Sequence, residues 1–257
     1  MSNINIPKIK TRLEVKNEVE GDYAEMYLYG TITDYSWYEE DVITSKKVRD
    51  QLSKVTKDTI HVHINSGGGD VFESIAIYNL IKNHKAEIII YVDGLAASGA
   101  SIICMAGDKI VMPSNSMIMI HKAWTWATGN ADELRKVASD MDKIDSAVTE
   151  SYVSRFIGTK EELTQLLSDE TWLTAQECKE LGFCNEILNI EEEKEQEPAK
   201  NSILDKYKNK VITPVVNEET KVEEPKDEDP IIEESKVKES KQINNKDVLT
   251  AFFKSFK

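Results

Sequence analysis

The 257-residue chain has a formal net charge of −14, with 30% charged and 40% hydrophobic residues. That balance supports a sizeable core and argues against a nucleic-acid partner, because a phosphate backbone is bound through excess lysine and arginine. Three cysteines, Cys104, Cys178 and Cys184, without metal-ligand spacing, and the lack of a signal peptide or bilayer-length apolar run, predict a cytoplasmic protein with no disulfide framework, metal, cofactor or membrane partner.

After a polar start, Met1 to Lys8, strands are expected around Arg12-Leu13-Glu14-Val15 and Met26-Tyr27-Leu28-Tyr29, then a helix around Thr44 to Val55. Two strand, glycine turn, helix units follow. The first runs from the strand Thr59 to Ile64 through Asn65-Ser66-Gly67-Gly68-Gly69-Asp70 to the helix Val71 to Ile81. Its glycines free backbone amides to face a ligand. A flexible loop or a phosphate cradle would use the same glycines, but no Lys-Ser/Thr follows and the spacing is not that of a dinucleotide fingerprint. Amides aimed at a developing oxyanion are the better use.

The second unit runs from Ile88 to Val92 through Asp93-Gly94-Leu95-Ala96-Ala97 to Ser98, where a buried helix to Met105 begins, with Cys104 inside it. A serine there faces the unpaired amides of a helix start, and its small neighbours let a peptide approach its hydroxyl. Tight helix packing accounts for the same small residues. A serine nucleophile needs a base, and the chain has four histidines. His121 closes the apolar run Met117-Ile118-Met119-Ile120, which puts it at the mouth of a buried strand, a place that a hydrogen-bonded core histidine fills equally; His61, His63 and His84 fit structural or exposed places. Further on, Asn130-Ala131-Asp132-Glu133 reads as a capping box opening a long amphipathic helix with Leu134, Val137, Ala138, Met141, Ile144 and Val148 on one face.

In order and spacing, Ile64-Asn65-Ser66-x-Gly68-Gly69, then Gly94-x-Ala96-Ala97-Ser98, then the run from Pro113 through Ser116 to Ile120-His121 resemble the ClpP-type serine peptidases. The likeness extends from about Gly30-Thr31-Ile32 to about Ile187. It implies an α/β fold of the ClpP/crotonase kind, a spiral of strand-strand-helix units, and a Ser-His-acid peptidase acting on polypeptides inside a homo-oligomeric ring. Carried over, Ser98 is the nucleophile, His121 the base, and the amides of Gly68 and Gly99 the oxyanion hole. The family's acid precedes a phenylalanine segment, whereas here the run is Asp169-Glu170-Thr171-Trp172-Leu173-Thr174-Ala175. Direct alignment puts Glu170 in the acid's place, with Asp169 as the alternative. Both carboxylates could instead cap a helix starting near Thr174. The long helix after Asn130 would, as in the family, pack against a facing ring.

Composition changes near residue 190. Residues 191–257 hold no glycine, four of the six prolines and 30 charged residues, which predicts a mainly disordered tail after a peptidase domain over 1–190. Its end, about 247–257, places Leu249, Phe252, Phe253 and Phe256 on one helical face, the pattern of a docking helix; a membrane-surface helix, which the few basic residues and the net acidity disfavour, and a tail end with no partner are the alternatives. A tail of this kind and the Glu170-Thr171-Trp172 variant resemble the ClpP-related head maturation proteases of tailed phages and prophages, which implies capsid or scaffold partners. The alternatives are the proteolytic subunit of an ATP-dependent Clp protease working with an AAA+ unfoldase, a noncatalytic assembly scaffold, and a crotonase-like acyl-CoA enzyme, which needs no serine nucleophile.

Overall fold

Alternation of buried and partly exposed positions along the strands builds the centre of the molecule. In the computed structural model, which describes residues 9–17, 21–34 and 42–189, strands β1 (Arg12–Lys16), β2 (Ala24–Ile32), β3 (Thr59–Gly69) and β4 (Glu87–Ala97) lie side by side. Met26, Leu28, Ile60, Val62, Ile64, Ile88, Ile90 and Val92 point to one face and are buried. The opposite face carries an aromatic layer in which Tyr23 stacks on His61 and Tyr91 on His63. His61 and His63 therefore belong to the sheet's outer surface. His84 closes the turn after helix α2 (Val71–Lys82), accepting the Ala86 N–H at 3.1 Å.

β1 pairs antiparallel with β2, while β2, β3 and β4 are parallel, as chain crossovers through α1 (Ser45–Leu52) and α2 require. β4 then divides. Ile89 to Tyr91 pairs with β5 (Lys109–Pro113), and Leu95 to Ala97 pairs with β6 (Met117–Ile120). α3 (Gly99–Cys104) links β4 to β5. β7 (Thr171–Thr174) adds to β6 antiparallel, and β8 (Glu186–Leu188) adds to β5. The result is a mixed sheet with helices, in agreement with the α/β class. Helices α4 (Ala131–Val153), α5 (Lys160–Ser168) and α6 (Ala175–Leu181) complete it, each with a capping box at its start.

Several expectations change in detail. The glycine stretch is not a turn. β3 continues through it to Gly69, pairing Thr31 with Gly68 and Ile32 with Gly69 after a register shift. Glycine permits this because Gly68 has φ 85 and Gly69 φ 148. β4 likewise continues beyond Val92 to Ala97. The helix near Thr174 is capped by Thr174 and Glu177, so neither Asp169 nor Glu170 caps it. α5, β5, β7 and β8 have no counterpart among the elements expected from the sequence. Cys104, Cys178 and Cys184 are buried thiols. No helix among the described residues is long and apolar enough to cross a membrane. The predicted tail, 191–257, with its helix at about 247–257, lies outside the described residues, as does the polar start.

Gly68 packs tightly against the backbone beneath the site. A Cβ there would stand 2.5 Å from Ala97 O, 2.7 Å from Gly99 N and 2.8 Å from Ser98 Cβ. Gly68→Ala should therefore lower unfolding free energy by about 2 kcal/mol or more in urea titrations, combining left-handed strain with collision against backbone. A variant as stable as the parent would show that this approach is not tight.

Candidate active site

Ser98 stands between the last residue of β4 and the first of α3, with φ 54 and ψ −125. L-residues adopt this conformation at a cost of about 1–3 kcal/mol, and it persists only where surroundings enforce it. Here Ser98 N–H donates to Met119 O at 2.9 Å, and Ser98 O accepts from Ser101 N–H at 2.9 Å and from the Ser101 hydroxyl. The strained corner leaves the Ser98 side chain out of helix capping and directs it to a cleft of about 450 Å³.

His121 follows β6 directly. Its Nε2 lies 2.7 Å from Ser98 Oγ. Burial pushes the imidazole below its usual pKa, and the charges of Glu170 and Asp145 draw it partly back. Ile120 pairs with Thr171 across β6 and β7, so the antiparallel register carried one step further sets Glu170 opposite His121. Glu170 has φ 50 at the reversal between α5 and β7 and is half-buried. Asp169, the alternative acid, is exposed, closes the C-terminus of α5 and accepts from Gln165 Nε2 at 2.7 Å. The structure thus brings Ser98, His121 and Glu170 to one place and directs Asp169 to a different partner.

The expected free amide at Gly68 is not found. Gly68 N–H donates to Ser66 Oγ at 3.0 Å, and the Ser66 hydroxyl donates in turn to Gly30 O at 2.6 Å. Gly69 takes the open place. Asp70 N–H donates to Ile32 O at 2.7 Å, so in the Ile32/Gly69 pair it is Ile32 that uses its backbone groups on the neighbouring strand. In a parallel ladder this turns the N–H of Gly69 away from β2. Gly69 N lies 3.6 Å from the position a Cβ on Gly99 would occupy, and both glycines line the cleft with Ser98. Gly99 N–H, at the first position of α3, has no carbonyl within its own helix to bond. The sequence motif contains both glycines and does not reveal which amide the ladder releases.

Apolar side chains form much of the rest of the cleft, with Val71, Ile102, Ile144 and Val148 lining it beside the exposed rings of Phe72 and Trp124, and Thr33, Asp70 and Thr125 add polar groups. Tyr152 is buried at its floor with its hydroxyl 2.8 Å from Ser101 Oγ. Asp145, from α4, accepts the Ala123 N–H at 2.9 Å. The sequence reading missed it, because on that helix it is one acid among many. No group of three or more His, Cys, Asp or Glu among the described residues is placed to hold a metal ion.

A strained serine between a parallel strand and a short helix, meeting a histidine from the adjacent strand, defines a class of α/β proteins with a candidate Ser-His site. The family model described as Clp protease matches residues 37–191, and the chain belongs to that family. It is 32% identical over 133 residues to the ATP-dependent Clp protease proteolytic subunit of Bacteroides fragilis, a match covering 50% of this chain and 63% of that protein. The protein of the same name from Deinococcus radiodurans is 27% identical over 140 residues, 53% of this chain and 68% of that one. That from Chlorella vulgaris is 27% identical over 193 residues, 72% and 94%. The chain thus spans less than two thirds of the Bacteroides fragilis relative.

The strain at Ser98 predicts an order of stabilities. Ser98→Gly should be more stable than Ser98→Ala by about 1 kcal/mol in urea unfolding, since glycine tolerates the positive φ and alanine does not. Equal stability would mean that the corner is relaxed.

Proposed function

We propose that the chain is a serine endopeptidase that works through an acyl-enzyme. The observation carrying this reading is the 2.7 Å approach of His121 Nε2 to Ser98 Oγ at the cleft. With His121 neutral and its proton on Nδ1, Nε2 accepts the Ser98 hydroxyl proton as Oγ attacks a peptide carbonyl. Glu170 then stabilises the imidazolium, and the N–H groups of Gly69 and Gly99 receive the oxyanion. The imidazolium gives its proton to the leaving amine, and water, activated by the same histidine, releases the acyl group.

The role we infer is head maturation in a tailed phage or prophage, in host cytoplasm or prohead. Two features support it: a glutamate in the acid's place, and the charged segment 191–257, suited to tethering the enzyme to capsid or scaffold protein. The resemblance also implies a homo-oligomeric ring. The long run of exposed and half-buried residues from Ala131 to Ala147 on α4 suits contact with a facing ring. A second role is favoured by the names of the relatives, ATP-dependent Clp protease proteolytic subunit: degradation of proteins delivered by an unfoldase ATPase. Cleavage of capsid or scaffold protein without nucleotide supports the first, and ATP-dependent degradation of a folded substrate with an added unfoldase supports the second.

Fluorophosphonate labelling read by intact mass, with oligomer mass recorded alongside, tests the chemistry. One adduct per chain is expected, absent in Ser98→Ala. Labelling should fall by about 10³-fold or more in His121→Ala and Glu170→Gln, and by less than about threefold in Asp169→Asn, whose carboxylate is exposed. Because burial lowers the His121 pKa, the base stays neutral to more acid pH, and the rate should fall only below about pH 6.5. An assembled ring that never labels would favour the noncatalytic scaffold.

A further inference from the structure

After β6 the chain from His121 to Thr128 belongs to no strand or helix, yet two consecutive amides just beyond the histidine are held. Lys122 N–H donates to Leu167 O of α5 at 3.0 Å, and Ala123 N–H donates to Asp145 Oδ1 of α4 at 2.9 Å. The first tie comes from the helix that leads into Glu170. The second comes from α4, whose residues become buried only from Val148 onward. Asp145 itself is half-buried and follows Ile144, which lines the cleft with Ser98 and His121. We propose that Asp145 is a positioning residue: its carboxylate fixes the backbone just after His121 and thereby holds the imidazole against Ser98.

This rests on reading His121 as the base. Displacement of a catalytic group by about 1 Å costs on the order of 10²-fold in rate, so one tie at this point matters. The same carboxylate is also a charge close to the ring. Among the described residues, Glu170 from the α5–β7 reversal and Asp145 from α4 are the two acids that raise the His121 pKa against the lowering by burial. Anchor and charge separate by substitution. Asp145→Asn keeps an oxygen for the Ala123 amide and loses the charge, whereas Asp145→Ala loses both.

The test uses the full chain with ¹³C-labelled histidine, titrated by NMR, with the His121 signal assigned by its loss in His121→Ala. Both Asp145 variants should lower the His121 midpoint by about half a unit or more, as removal of a nearby opposite charge requires. Fluorophosphonate labelling at the high-pH plateau should fall at least about tenfold in Asp145→Ala and no more than about threefold in Asp145→Asn. Wild-type plateau labelling in a folded Asp145→Ala, or a loss of labelling in Asp145→Asn as large as that in Asp145→Ala, would overturn the proposal. If Asp145→Ala does not fold, Asp145→Leu, which keeps the bulk of the side chain and loses the acceptor for the Ala123 amide, takes its place in the labelling comparison. Parent protein that takes no label would instead remove the reading of Ser98, while the titration still reports whether Asp145 acts on His121.

Discussion

The hydrogen bond from Ser98 N–H to Met119 O, 2.9 Å long, is the constraint on which the site depends. It closes the parallel pairing of Leu95 to Ala97 with Met117 to Met119 at the Ala97/Met119 pair, and so fixes where the β4–α3 corner stands relative to β6. His121 lies two residues beyond that carbonyl. The antiparallel pairing of β6 with β7 then sets Glu170 opposite the histidine. One short strand thus sets the relative placement of three side chains that lie far apart in sequence. In the proposed reaction, fixing such groups in advance would remove an orientational cost.

The corner itself is strained, and its surroundings supply what holds it. Gly68 passes within contact of Ala97, Ser98 and Gly99 where no larger residue fits, and the Ser66 hydroxyl engages the Gly68 amide. The glycine stretch therefore divides its labour. Gly68 permits close approach, and Gly69 turns its amide from β2 toward the cleft. A hydrophobic floor beneath the cleft, with the Tyr152 hydroxyl matched to Ser101, makes the location rigid without burying an unpaired polar group there.

What the sequence made legible were features with a local cause. The alternation around Met26 and Leu28, the Asn130-Glu133 capping box and the apolar strand leading into His121 each follow from a few adjacent residues. His121 was legible as a candidate base because it closes a buried strand, and the family resemblance joined it to Ser98. What escaped depends on partners distant in the chain. β7 is four residues long and becomes a strand by pairing with β6. Whether the free amide belongs to Gly68 or Gly69 depends on a bulge opposite β2. Asp145 differs from the other acids of α4 only in what lies across from it. Alignment alone sets Glu170 rather than Asp169 in the acid's place, and the register that brings Glu170 opposite His121 is visible only in three dimensions.

The most direct test of the account is a crystal structure of the protein with a peptide boronate or phosphonate bound at Ser98. The account predicts a covalent bond to Ser98 Oγ, with the oxyanion-mimicking oxygen about 2.7–3.1 Å from the amides of Gly69 and Gly99 and His121 still within reach of Oγ. An adduct on another residue, or an oxygen directed to solvent with Gly69 and Gly99 unengaged, would contradict it.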